Sequence, residues 1–80
     1  MKAWCVFDVS PVDGVLLVFA ATRNRARALA CNQALWDWEY VGTSAIRKQK
    51  WDSFFDAERV IETNDDLPAG APEFYDDWEL

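Results

Sequence analysis

Residues 14–36, GVLLVFAATRNRARALACNQALW, decide the fold. Val15 to Ala20 is an unbroken apolar run, and from Thr22 the pattern turns helical and carries Arg23, Arg25 and Arg27. A switch from continuous apolarity to a 3.6-residue period marks a strand feeding a helix. Thr22 stands where a hydroxyl can accept from a first-turn amide and cap the helix. Ala26, Leu29, Ala30 and Gln33 fall on one stripe, at i, i+3, i+4 and i+7. A helix is therefore expected from Arg23 to about Trp36, with small alanines that let it lie close to a sheet. Three arginines at its start oppose the helix dipole. An acidic partner nearby, such as the chain's own C-terminal half, would offset that conflict.

Upstream, residues 3–9 (AWCVFDV) alternate. Ala3, Cys5, Phe7 and Val9 share one side; Trp4, Val6 and Asp8 share the other, and Asp8 marks that side as the one nearer water. Ser10-Pro11-Val12-Asp13-Gly14 is turn chemistry, with Gly14 suited to a positive φ. Residues 3–20 thus read as a β-hairpin. Its second strand is apolar on both sides, as a central strand is.

Downstream, Trp36-Asp37-Trp38-Glu39-Tyr40 either extends the helix or enters the next strand, and Gly42 marks a break. Thr43 to Gln49 reads as a third strand, centred on Thr43 and Ile46. Arg47, Lys48 and Lys50 give it the basic end common on edge strands. Trp51 to Glu62 reads as a short second helix, capped by Asp52 or Ser53, anchored by Phe54, Phe55 and Ile61, and ended by Asn64-Asp65-Asp66. Leu67 to Pro72 is a Pro/Gly linker. The resulting architecture is α+β: a three-stranded, mostly antiparallel sheet in the order β-β-α-β, one main helix on one face and a short second helix. Residues 1–64 form a single domain, and residues 65–80 an acidic, aromatic C-terminal tail.

The chain has 80 residues and a net charge of −6, unevenly spread. Residues 1–50 hold seven Lys and Arg against four Asp and Glu, a net of +3; residues 51–80 hold one against ten, a net of −9. Such a split is a hint of an acidic interaction tail, the alternative being a solvated, solubilising C-terminus. Eighty residues bury a modest core. Five Trp, five Phe and two Tyr supply much of its area. Met1-Lys2 leads directly into a strand pattern with no leader-like run, and no apolar stretch approaches a membrane span. A soluble, cytoplasmic protein whose two cysteines, Cys5 and Cys31, stay reduced is the expectation.

Several chemistries lack their residues. There is no histidine, which removes the commonest general base and metal ligand. Two cysteines without histidine do not make an ordinary zinc site. The serines sit in no nucleophile elbow, the three glycines are scattered, and Asp65-Asp66 lacks calcium-loop spacing. The reading is a binding protein with no catalytic residues, no cofactor and no metal.

Two candidate binding sites follow. The first comprises Asp65, Asp66, Glu73, Phe74, Asp76, Asp77, Trp78 and Glu79. Phe74 and Trp78 are four apart and share a face if the segment is helical; the carboxylates would ring them with negative charge suited to a basic groove, including one that normally holds nucleic acid. The second is a phosphate-binding patch of Arg23, Arg25, Arg27, Arg47, Lys48 and Lys50, disfavoured by the low sequence pI of about 4.3. A third reading, a structural or assembly factor, would use exposed Trp36, Trp38 and Trp51.

The stretch Leu17 to Ala30, with Ala45-Ile46-Arg47 and Trp51 to Phe55, resembles a family of small uncharacterised phage and prophage proteins. These carry a V-F-A-x-T-R-G-K-A helix start and an I-R-V-R-R strand. Val18, Phe19, Ala20, Thr22, Arg23 and Ala26 match the first motif, and Ile46 and Arg47 the second. Asn24 replaces the motif glycine, and Lys48 an apolar position. The resemblance implies a phage origin and transfers no active residues. By analogy of class, it points to an inhibitor of host defence, anti-CRISPR-like or anti-restriction. The expected partner is a host protein with a basic, nucleic-acid-binding surface, met in the bacterial cytoplasm by a monomer or homodimer, without direct nucleic-acid or membrane binding.

Overall fold

A computed structural model describes residues 1–8, 14–33, 42–72 and 74. The N-terminal hairpin pairs β1 (Ala3–Asp8) with β2 (Val15–Phe19), antiparallel, with Cys5 opposite Leu17 and Phe7 opposite Val15. Gly14 enters β2 at φ 121°, a conformation that side chains disfavour. Helix α1 (Arg23–Gln33) follows β2 at once. The Arg25 N–H donates to Thr22 Oγ1 at 3.2 Å, so Thr22 is the expected cap. The predicted helical residues beyond Gln33 lie outside the described residues.

Strand β3 (Thr43–Arg47) pairs with β1, and β4 (Arg59–Ile61) pairs with β2, both antiparallel. The sheet order is β3-β1-β2-β4. The hairpin strands are therefore central, which explains their apolarity on both sides. Every residue of β2 is buried.

The fourth strand corrects the three-stranded reading. The stretch Trp51 to Glu62 is not one helix. It begins as a 3₁₀ turn, Gln49–Phe54, extends at Phe55, and then pairs as β4. The physical reason lies in Val60 and Ile61. Their branched side chains suit a pleated strand, and pairing places Ile61 opposite Leu17, fully buried. Asp52 does not cap a helix; its carboxylate serves β1. Asn64–Asp66 forms a separate short 3₁₀ turn.

Each face of the sheet has its own core. Under α1 lie Trp4, Val6, Leu16, Val18 and Ala20, closed by Ala26, Ala30 and Ala45. The Trp4–Val6 side is thus not the wetter one, because α1 crosses it; Asp8 is partly exposed at the strand end. On the other face Ala3, Cys5, Val15, Leu17 and Phe19 meet Trp51, Ile61 and Phe74. Phe54, Phe55 and Leu67 pack against that cluster. The body does not stop at residue 64: the Trp51 Nε1–H donates to Pro72 O at 2.9 Å, and the Phe74 N–H to Asn64 Oδ1 at 2.9 Å.

Candidate functional site

The fold divides the predicted basic patch. Arg23 and Arg27, one helical turn apart, face the edge strand β3 across an open groove of about 470 Å³. Its other walls are β3 itself, from Thr43 through Ala45 and Ile46 to Arg47. Arg25 turns away from the groove and forms a two-pronged pair with Glu58, Nε–Oε2 2.7 Å and Nη2–Oε1 2.9 Å. That bond raises the Arg25 pKa and holds the Glu58 carboxyl below its ordinary value. One of the three cations at the helix start thus finds its carboxylate in the C-terminal half. Lys48 and Lys50 are not among the described groove walls, and the Lys50 ammonium lies 5.2 Å from the Trp51 ring centroid.

The groove is anchored on Trp4. Its Nε1–H donates to Ala20 O at 3.1 Å. The Arg23 and Arg47 guanidinium carbons lie 5.5 and 5.3 Å from its ring centroid, within cation–π range. Arg27 donates from Nε to Thr43 Oγ1 at 3.0 Å, clipping α1 to β3. Arg47 also donates to both oxygens of Asp52 and to Ala3 O. Asp52 in turn accepts the Ala3 N–H at 2.9 Å. The Arg47 hydrogen bond, with help from the Ala3 N–H, outweighs partial burial and lowers the Asp52 pKa.

The predicted acidic site fares differently residue by residue. Asp65 and Asp66 are exposed on their 3₁₀ turn. Phe74 is not an anchor for a partner: its ring is fully buried, edge-on to Trp51 at a 5.4 Å centroid distance. Trp51 is buried too, so it offers nothing to an assembly surface. Glu73, Asp76, Asp77, Trp78 and Glu79, with Trp36 and Trp38, lie outside the described residues.

The structure adds acids that the tail-centred reading passed over. Asp56, Glu58 and Glu62 are exposed around β4 and continue into Asp65 and Asp66. Between Phe54 and Arg59 a shallow hollow of about 320 Å³ sets two half-buried phenyl rings beside Asp56 and Glu58. The Arg59 guanidinium is 4.9 Å from the Phe55 ring centroid. The signal was the acidic content of residues 56–66; its meaning depended on β4 being an edge. The sheet therefore ends in a basic strand on one side and an acid-flanked strand on the other.

Both cysteines are free. Cys5 is buried on the aromatic face, where desolvation pushes its pKa up to about 11 against the lowering pull of Lys48; such a thiol is inert. Among the described residues no group of three Cys, Asp or Glu side chains is placed to hold a metal ion. No described helix is long and apolar enough to cross a membrane. No family model, curated protein or solved structure matches the chain at significant similarity.

Proposed function

We propose that this protein is a phage-encoded inhibitor of a host defence system, anti-CRISPR-like or anti-restriction. It acts by binding: an acidic, nucleic-acid-mimicking surface covers the basic site of a host protein. The observation that carries this reading is the exposed run Asp56, Glu58, Glu62, Asp65 and Asp66 along the β4 edge, beside the Phe54–Phe55 hollow. Half-buried rings bordered by carboxylates combine apolar contact with charge, and complementary charge speeds encounter with a cationic cleft. The acids of residues 73–79 extend the same charge in sequence. The phage assignment rests on the helix-start and strand motifs. The function needs no cofactor and no catalytic group, and places the protein in the bacterial cytoplasm.

Deleting the chain after Asn64 is a poor test, because Phe74 belongs to the core. Charge neutralisation tests the surface without touching packing. In the variant Asp56→Asn/Asp65→Asn/Asp66→Asn, Glu58 is left to hold Arg25 and Glu62 is left unchanged. The protein is used as bait in bacterial lysate, and the captured partner is purified and assayed for nucleic-acid binding. The wild type is expected to compete with nucleic acid for the partner, and the variant to compete at least tenfold less well. Equal competition by the variant would end the acidic-surface reading.

A further inference from the structure

The outer edge of β3 has three properties that the acidic surface does not use. The first is main-chain. The Lys48 N–H donates to Ala3 O at 2.9 Å, and Arg47 lies opposite Trp4. Antiparallel ladders alternate between bonded and non-bonded pairs. Cys5–Ile46 and Phe7–Ser44 are then the bonded pairs, and Ala45 directs its N–H and C=O outward from the sheet. β3 ends the strand order. The second is the alternation of side chains. Ala45 packs on the α1 side, beneath the groove that Arg23 lines. Ile46 is on the other side, 38% exposed, and is the exposed large hydrophobic among the described residues. The third is charge. Arg23 is exposed and rests on the Trp4 ring, while Arg25 pairs with Glu58 and Arg47 with Asp52.

A cationic edge normally guards a sheet against adventitious pairing. A guard of one sign is also a filter, since it repels basic strands and attracts acidic ones. We propose that the β3 edge accepts an extended segment of a partner protein as a fifth strand, in which acidic residues alternate with apolar ones. The acids lie on the α1 side and meet Arg23; the apolar residues lie on the other side and cover Ile46. Main-chain bonds to Ala45 supply affinity, and the alternation supplies register, as in other strand additions. A five-residue strand spans about 17 Å, which sets the footprint. A second copy supplies this pattern only in part through its other edge, because the flanking acid Glu58 is already held by Arg25. β4 puts apolar Val60 on the α1 side and Arg59 with Ile61 on the opposite one.

The test is fluorescence anisotropy with a labelled Glu-Val-Glu-Val-Glu-Val peptide and the full chain. Saturable binding is expected, at least tenfold weaker for Arg23→Glu and at least tenfold weaker for a Glu-Glu-Glu-Val-Val-Val peptide of the same composition. The Ala45 amide is expected to exchange with solvent more slowly in the complex, a readout that needs no variant. Four results would overturn the proposal: equal affinity for the reordered peptide, no effect of Arg23→Glu, unchanged Ala45 exchange, or displacement of the peptide by oligothymidylate at lower concentration. Self-association of the protein alone that Arg23→Glu abolishes would also overturn it, by assigning the edge to a second copy. The acidic surface is on the opposite edge, so either reading can fail without the other.

Discussion

The two faces of the sheet are covered by different kinds of chain. On one, a regular helix contributes alanines: Ala26 and Ala30 are fully buried, and α1 packs close enough for Arg27 to reach Thr43. On the other, the cover is irregular and aromatic, assembled from a 3₁₀ turn and the segments that follow it, out to Phe74. A helix satisfies its own backbone and needs only the right stripe. Irregular chain must find partners for its polar groups one at a time. Asp52 takes the Ala3 N–H, Asn64 takes the Phe74 N–H, and Pro72 O takes the Trp51 indole. Edge-on ring pairs, Phe19–Phe55 at 4.8 Å and Trp51–Phe74 at 5.4 Å, fill the space between. The lesson is that tolerance differs by face. The helical face is sensitive to added volume, and the aromatic face to lost volume.

Phe74→Ala should produce the largest effect. A buried Phe cut to Ala costs about 3–5 kcal/mol, against a stability of about 5–15 kcal/mol for an ordinary domain. Urea denaturation followed by Trp fluorescence is expected to show a midpoint far below the wild type, or no cooperative transition. A loss under about 1 kcal/mol would mean that the ring does not close the aromatic core, which lies well outside the usual cost of such a truncation.

Ala26→Leu probes the opposite sensitivity. The added atoms have no room between α1 and the sheet, and overpacking of this kind costs about 1–3 kcal/mol. Leu at Ala28, which belongs to neither core cluster, should cost far less in the same denaturation experiment. Equal costs at the two positions would mean that α1 is not held close by its alanines.

The legibility of the molecule follows the same division. The hairpin, the strand-to-helix passage, the Thr22 cap and the Ala26–Ala30 stripe were readable because each is a local period or a single cap. The edge position of β3 was readable from Arg47, Lys48 and Lys50. β4 was not, since Arg59-Val60-Ile61 is too short for an alternation to register and its partner, β2, is remote in sequence. Phe74 misled for a related reason. Its acidic neighbours suggest exposure, and what buries it is the aromatic face of the sheet, where it meets Trp51 edge-on. For the sites, the arginine cluster was visible, but its division was not: Glu58 claims Arg25 only because β4 brings the chain back past the start of α1. The exposure of Ile46 likewise depends on which face of an edge strand lacks a cover.

Asp52 gives the smallest and most selective test, because it belongs to the irregular cover while Glu58 clips the helix. Both carboxyls are held below their ordinary pKa, in each case first by a hydrogen bond from an arginine. In the pH range between the folded and unfolded values, the unfolded chain binds more protons, so stability rises with pH there. The contribution is complete above the ordinary carboxylate range and is lost as pH falls through the lowered, folded value. Asp52→Asn keeps an Oδ1 to accept the Ala3 N–H, and removes the charge facing Arg47 together with the Oδ2 acceptor of the Arg47 Nη2–H. With the Asp52 side chain 33% exposed, its cost at neutral pH should be about 0.5–1 kcal/mol. Denaturation curves at several pH values should show the gap between variant and wild type closing as acid protonates Asp52. The wild type should keep a residual slope from Glu58, which salt suppresses because that pair is exposed. A gap that stays constant into acid would show that Asp52 works through shape and not through charge. The irregular cover would then be held by its rings and neutral hydrogen bonds alone.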